Sequence, residues 1–428
     1  MNMSVFLLIL FLATMVVGIP LPICLGIASI TSLLMYTDMP ANLMAQTMFT
    51  SMNSFLLVAV PLFVLVGILM ERGGVADRLF DFANATFRWL PGGMGHVVIV
   101  TSVIFGGVSG SSVADIAALG RVEYNAMVKY KYEKGYTVGL VMSTSALASI
   151  IPPSVLMIIA GSIANESIGL LLLAGIAPGV FIAGAFMVYN HFVTRWKKMG
   201  ESAPSSLAEI GRAAARAAPP MLTPAILLYG IFDGFFTPTE AAAIAVAYTM
   251  FLSVVCYRTI AWHELPSIFL ETAKTTGTIL FIAVTAKLAA WIFTFDGLPA
   301  QIAELLGSIS DNPTVILSII FLFLILVGMF MDAVAALYIL VPVLLPPLMA
   351  IGVDPIHFLV VLVVALSLGL ITPPVGVCLF AMAQVCKMPI EAVMRGAFPA
   401  TCVLAFATYL LFVFPQIILY PLRAIGLY

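Results

Sequence analysis

Oxygen-bearing and conformationally permissive residues interrupt this chain at places where the surrounding sequence is almost wholly apolar. Phe105-Gly-Gly-Val-Ser-Gly-Ser-Ser-Val-Ala-Asp115 sets three glycines and three serines in the middle of one apolar run. Glycine permits tight turns and close backbone approach, and serine hydroxyls together with carbonyl oxygens form a shell suited to a hard cation such as sodium. A second run, Val327-Gly-Met-Phe-Met-Asp-Ala-Val-Ala335, carries a carboxylate at Asp332. A carboxylate inside an apolar segment is costly and marks function by default, although a helix cap or a buried pair is the structural alternative. Two proline pairs, Pro152-Pro153 and Pro373-Pro374, fall inside further apolar runs. Proline removes a helical hydrogen bond and clashes with the preceding turn, so each pair predicts a broken helix, with Ser149 to Ser154 and Leu370 to Gly376 offering free carbonyl oxygens and helix ends to something polar.

The remaining polar residues divide between two readings. Lys287, in Ala283-Val-Thr-Ala-Lys-Leu-Ala-Ala290, is the only basic residue deep in an apolar segment. It either pairs with Asp332 or Asp115 and attracts an anion, or it snorkels to an interface. Glu240, in Thr237-Pro-Thr-Glu240, stands at an expected helix start, where a capping carboxylate is favoured. The cysteines (Cys24, Cys256, Cys378, Cys386, Cys402) show no CxxC spacing, and the histidines (His96, His191, His263, His357) share no ligand spacing, so neither set reads as a metal site. No His-Glu-x-x-His run is present, which speaks against an intramembrane metalloenzyme; no Walker A run is present either, as expected also for the permease of an ATP-driven importer, a rival that inverted repeats with hairpins do not suit.

The elements that must hold these residues are membrane helices. The chain has 428 residues, 62% hydrophobic and 9% charged, against about 25% charged in a soluble domain. Apolar segments recur at 4–17, 20–36, 52–70, 95–118, 136–161, 167–194, 219–236, 239–257, 276–295, 313–346, 356–385 and 397–420. The first lacks a basic leader and a small-residue cleavage site, and is expected to be a span, not a signal peptide. The longest hydrophilic interruption, 195–218, carries Arg195, Lys197, Lys198, Arg212 and Arg216, and the positive-inside rule puts it in the cytoplasm. With 95–118 and 313–346 taken as re-entrant hairpins, ten crossings result and both termini lie outside. All 18 basic residues then fall at or near the cytoplasmic face except Lys287 and Arg423. The segments 75–90 and 298–309 mix apolar and charged residues at helical spacing and predict amphipathic arms along the interface.

The linker divides the chain into a first repeat, 1–194, and a second, 219–428, each with five crossings and one hairpin, so the two must be inverted. One displacement of 221 residues carries Pro152-Pro153 to Pro373-Pro374, Gly107 to Gly328 and Ser111 to Asp332. Inverted repeats with discontinuous helices are the mark of alternating-access carriers that bind near the midplane.

Gly107-Val-Ser-Gly-Ser-Ser-Val-Ala-Asp115, Phe236-Thr-Pro-Thr-Glu-Ala241 and Ile371-Thr-Pro-Pro-Val-Gly376 together resemble the large membrane subunit of tripartite ATP-independent periplasmic (TRAP) transporters, over essentially the whole chain. The resemblance implies an all-α elevator-type carrier in the bacterial cytoplasmic membrane, driven by sodium and taking up organic acids such as dicarboxylates, keto acids or sugar acids including sialic acid. It implies two partners, a small membrane subunit, expected as a separate chain, and a soluble periplasmic binding protein; nucleic acid and organic cofactors have no place in it. By position it implies one half-site at Ser109, Ser111, Ser112, Pro152 and Ser154 and another at Gly328, Asp332, Thr372, Pro373 and Gly376; sodium is expected at Gly107, Ser109, Ser112, Pro152, Gly328, Asp332, Thr372, Pro373 and Gly376, and substrate at Ser111, Ser154, Asp332 and, from its place in the span, Lys287. The alternative is a stand-alone sodium/carboxylate symporter that needs no binding protein.

Overall fold

The computed structural model describes residues 2–52, 55–232, 234–310, 312–373, 376–424 and 426–428. Pro374 and Val375 of the second proline motif, and Asp311 of an expected external loop, lie outside the described residues. The described chain is helical throughout. Its first half runs α1 (Met3–Val16), α2 (Leu21–Tyr36), α3 (Ala41–Met52), α4 (Ala59–Arg72), α5 (Val75–Phe87), α6 (Gly93–Ser109), α7 (Ser112–Lys129), α8 (Lys134–Ser145), α9 (Val155–Ala164), α10 (Ile168–Ala174) and α11 (Ile176–Lys197). Its second half runs α12 (Leu207–Phe232), α13 (Pro238–Met250), α14 (Leu265–Phe295), α15 (Leu298–Ile309), α16 (Pro313–Phe330), α17 (Ala333–Ala350), α18 (Pro355–Gly369), α19 (Val377–Cys386), α20 (Ile390–Val413) and α21 (Gln416–Ala424).

Both halves repeat one element order: an amphipathic arm (α5, α15), a helical hairpin (α6–α7, α16–α17), a broken helix (α8–α9, α18–α19) and a closing helix (α10–α11, α20). The packing crosses between halves. The second hairpin arm α7 lies against α19, and its counterpart α17 lies against α9. Within each half the first hairpin arm packs on the broken helix, α6 on α8 and α16 on α18.

The arm α5 shows why the chain turns where it does. Gly74 adopts φ +67°, a left-handed conformation that glycine reaches freely, and α4 and α5 meet there at 66°. Val75, Ala76, Leu79, Phe80 and Ala83 of α5 are buried while Asp77 and Asp81 are exposed, as an interfacial helix requires. Carbonyls at the bend find partners from the second half: Ser253 Oγ donates to Leu69 O at 3.4 Å and Thr259 Oγ1 to Gly73 O at 3.0 Å. Arg78 adds a donor to Gly74 O at 2.6 Å and lies 3.7 Å over the Tyr257 ring.

Several boundaries differ from the sequence expectation. α3 is an additional helix, missed because Asn42, Gln46, Thr47 and Thr50 dilute its apolar character; two of its threonines satisfy their hydroxyls on carbonyls one turn back. The hydrophilic stretch 195–218 is in part helical, since α11 reaches Lys197 and α12 begins at Leu207. α14 begins eleven residues before the expected 276, its polar first turns Glu271-Thr-Ala-Lys-Thr-Thr276 being helical too. Six helical segments among the described residues are long and apolar enough to cross a membrane singly, or seven with the bent α4–α5 pair. α16 and α17 are two of the six, so the second hairpin has arms of spanning length that still return the chain to the side it left. α8, α9, α18 and α19 hold 12, 10, 15 and 10 residues and reach across only as broken pairs.

Candidate functional site

The first hairpin turns at Gly110, φ +61°, where a Cβ would stand 2.5 Å from the Pro153 carbonyl oxygen; at Gly107 it would stand 3.3 Å from that of Pro152. The tip therefore rests directly on the first helix break, whose Pro152-Pro153 peptide is cis. Ser112 donates its backbone N–H to Ser149 Oγ at 3.1 Å, and the two hydroxyls lie 2.7 Å apart. Ser154 donates to Ser149 O at 2.5 Å and caps α9 by accepting from Met157 N–H at 3.3 Å. Ser109 is 6% exposed and its hydroxyl has no partner among the described residues.

The second hairpin turns at Met331–Asp332. Asp332 Oδ1 accepts from the N–H groups of Val334 at 2.9 Å and Ala335 at 3.4 Å, capping α17. Ser111 Oγ accepts from Ala114 N–H at 3.5 Å and caps α7. The two residues that the 221-residue displacement equates thus occupy one structural station, the N-cap of a second hairpin arm, where serine and aspartate are both favoured. Gly328 packs against Gly369, a Cβ on the former meeting the latter's Cα at 3.0 Å, and Gly106 packs in the same way on Ala148. Thr372 donates to Leu368 O at 2.6 Å, and Gly376 occupies the N-cap of α19 without a capping side chain.

One cleft of about 470 Å³ gathers these parts. Its lining includes Ser109, Ser111, Ser112 and Asp332 of the expected site, with Ser149 beside the first break and Leu370 beside the second. The opening turns of four helices also line it: Ser112, Val113 and Ala114 of α7, Val155 and Leu156 of α9, Ala333 and Val334 of α17, and Val377 of α19. A helix N-terminus presents free N–H groups and a partial positive charge, so four together suit an anion. No Lys or Arg lines the cleft among the described residues.

Gly107, Pro152, Ser154, Gly328, Thr372, Pro373 and Gly376 belong to the tips and breaks and are not among the described residues that line the cleft. Lys287 is exposed on α14, away from the lining, and no ion pair joins it to Asp332 or Asp115 among the described residues. Glu240 closes a capping box, accepting from Thr237 N–H at 2.8 Å while Thr237 Oγ1 accepts from its own N–H at 3.3 Å. The described residues hold no cluster of three or more His, Cys, Asp or Glu side chains able to bind a metal. The oxygens at the tips and breaks are hydroxyls, carbonyls and one carboxylate, which fit a hard monovalent cation better than a transition metal.

Sequence reasoning missed Glu71 and Glu271, which line the opposite wall. The signal was present in their spacing: Val64, Gly67, Ile68 and Glu71 on α4, and Glu271, Thr275 and Ile279 on α14, follow the three- and four-residue steps of a helix face. Asp115, expected as a possible partner of Lys287, is buried instead against Ser102, which donates to its Oδ2 at 3.2 Å, and Glu123 is buried on the same helix.

Hairpins, broken helices and a polar cleft inside an apolar helical body define a polytopic membrane carrier. Residues 8–417 match the family model described as tripartite ATP-independent periplasmic transporter, DctM component, and the chain belongs to that family, the large permease of TRAP transporters. It is 36% identical over 406 residues to the sialic acid TRAP transporter large permease protein SiaM of Vibrio cholerae, covering 95% of each chain. It is also 36% identical over 375 residues to the C4-dicarboxylate TRAP transporter large permease protein DctM of Pseudomonas aeruginosa, covering 88% of each. In fold it is similar to the YdaH transporter of Alcanivorax borkumensis, with a TM-score of 0.63 at 16% identity over 91% of this chain and 90% of that one.

Proposed function

We propose that the chain imports an organic acid, coupled to sodium, from a periplasmic binding protein and in complex with a small membrane subunit. The observation that carries this reading is the charge of the cleft: four helix N-termini and three carboxylates, Glu71, Glu271 and Asp332, face one space that no Lys or Arg lines among the described residues. A carboxylate cargo can be met by the N-terminal amides. It needs cations beside it, because burying uncompensated negative charge is costly. Sodium fits the hydroxyl-rich side at Ser109, Ser112 and Ser149, where a buried hydroxyl lacks a partner among the described residues, and the carboxylate side at Asp332. The relatives named for sialic acid and C4-dicarboxylate are permeases for organic acids, which supports the same cargo class here.

In this reading 1–194 and 219–428 are inverted repeats, and the crossed contacts of α7 with α19 and α9 with α17 tie both hairpins and both breaks into one moving body. α4 and α14 form the facing wall of a fixed scaffold. The chain lies in the cytoplasmic membrane with both termini on the periplasmic side, an orientation supported by the basic linker. Uptake measured in proteoliposomes containing the small subunit, with binding protein and labelled substrate outside, tests the assignment. Accumulation should require inward sodium and the binding protein; uptake by this chain alone would favour a stand-alone symporter.

A further inference from the structure

The three carboxylates that face the cleft differ in what balances them. Asp332 is held by two amides at the start of α17. Glu271 is ion-paired with Arg72. Glu71 has neither an ion pair nor a hydrogen bond among the described residues, and its charged neighbours are Glu271 and Arg72. It therefore presents the uncompensated charge of the cleft.

Its height in the cleft follows from α4. A Cβ on Gly67 would lie 3.2 Å from Ser109 O, so Gly67 stands level with the tip of the first hairpin. Glu71 follows one turn later, about 6 Å further along the axis, toward Arg72 and the interfacial arm α5. One turn behind it, at the tip, the Ser109 hydroxyl is more than nine-tenths buried on the lining of the same cleft, without a partner among the described residues. A carboxylate without an ion pair and, one turn away on the same lining, an unsatisfied oxygen, both among the described residues, give the cleft the polarity of a cation route. Low-dielectric walls focus such a charge along the cleft.

We propose that Glu71 is a holding post for the coupling cation at the mouth that faces the basic loops, concentrating sodium there and turning the carboxylate cargo away from re-entry. Arg72 opposes it by lowering the negative potential, so the pair sets how readily sodium returns to the site from that side. The proposal rests on the sodium-coupled reading above and concerns one side of the membrane only.

The test uses the reconstituted complex with binding protein outside alone, so that only carriers of one orientation work, and varies sodium inside and outside separately. Internal sodium should inhibit uptake by the unaltered carrier. In Glu71→Gln the half-inhibiting internal concentration should rise by about threefold, the size of one half-exposed charge interaction, while the external half-saturating concentration stays the same. Arg72→Gln, made in a Glu271→Gln background so that no second carboxylate is released from its ion pair, should move internal inhibition the other way, a reversal that a structural role would not produce. Unchanged internal inhibition in Glu71→Gln would overturn the proposal, and so would equal shifts on both sides. If Glu71→Gln does not assemble, Arg72→Gln in the Glu271→Gln background decides alone, and the absence of a downward shift there overturns it. Uptake by the unaltered carrier that ignores sodium altogether would remove the parent reading, and this one with it, before any variant is compared.

Discussion

In Asp332, Oδ1 holds the first turn of α17 while the carboxylate as a whole remains on the cleft wall. The two duties can be separated. Asn at this position keeps a capping oxygen and loses the charge, whereas Ala loses both. Asp332→Asn should therefore melt close to the parent, and Asp332→Ala should lose about 1 kcal/mol, the usual size of an N-cap. Both should lower sodium-driven uptake by about tenfold or more, equivalent to about 1.4 kcal/mol of lost interaction. Full transport by Asp332→Asn in the proteoliposome assay would show that the carboxylate is a cap and nothing else. Ser109 makes the complementary case: its hydroxyl has no partner among the described residues, so Ser109→Ala should leave the melting temperature alone and raise the external sodium concentration for half-maximal uptake. An unchanged sodium dependence would remove Ser109 from the cation site.

At the scale of elements, the hairpins sit on the broken helices through close backbone contacts. A Cβ at Gly369 would fall 2.5 Å from Gly328 Cα, and one at Gly106 would fall 2.7 Å from Ala148 Cα. Neither obstacle is a flexible side-chain end, so Gly369→Ala and Gly106→Ala should each destabilise by about 1–3 kcal/mol, the cost of overpacking. Thermal unfolding in detergent measures this, and a stability equal to the parent would mean that hairpin and broken helix are not fixed together. Much of this level was legible in the sequence. A proline pair alone does not decide a break, since Pro219-Pro220 and Pro346-Pro347 lie inside the continuous helices α12 and α17; the 221-residue separation of the pairs at 152 and 373, with matching glycines, is what points to a repeat. α15 begins and ends at the expected residues because Gly297, left-handed at φ +72°, and Pro299 in the first turn give it a defined start. What was not legible has a physical reason in each case. α3 mixes polar with apolar residues and so offers no clear segment to a hydropathy reading. Glu71 and Glu271 lie 200 residues apart, at ends of segments where charges are ordinary, and only the packing of α4 on α14 brings them to one wall. Lys287 stood out in sequence because it interrupts an apolar run, yet α14 turns that position outward. The Ser111 and Asp332 pairing was visible, but its meaning as a shared capping station required the backbone.

For the whole molecule, the account is that two hairpin tips and two helix breaks form one site which faces a wall made by α4 and α14. A Cβ on Gly67 would fall 3.2 Å from Ser109 O, and it is here that wall and tip meet. Gly67→Val should wedge that contact and cut uptake several-fold while the unfolding temperature changes little, because the wedge opposes docking and not folding; unimpaired uptake would mean that the tip does not need to seat there. The central claim is coupling of sodium to a carboxylate cargo across this site. Its most direct test is substrate accumulation by the reconstituted complex, with binding protein outside and an imposed sodium gradient. Accumulation above the external concentration that collapses when sodium is replaced by choline is the predicted result; the same accumulation in choline would contradict the account.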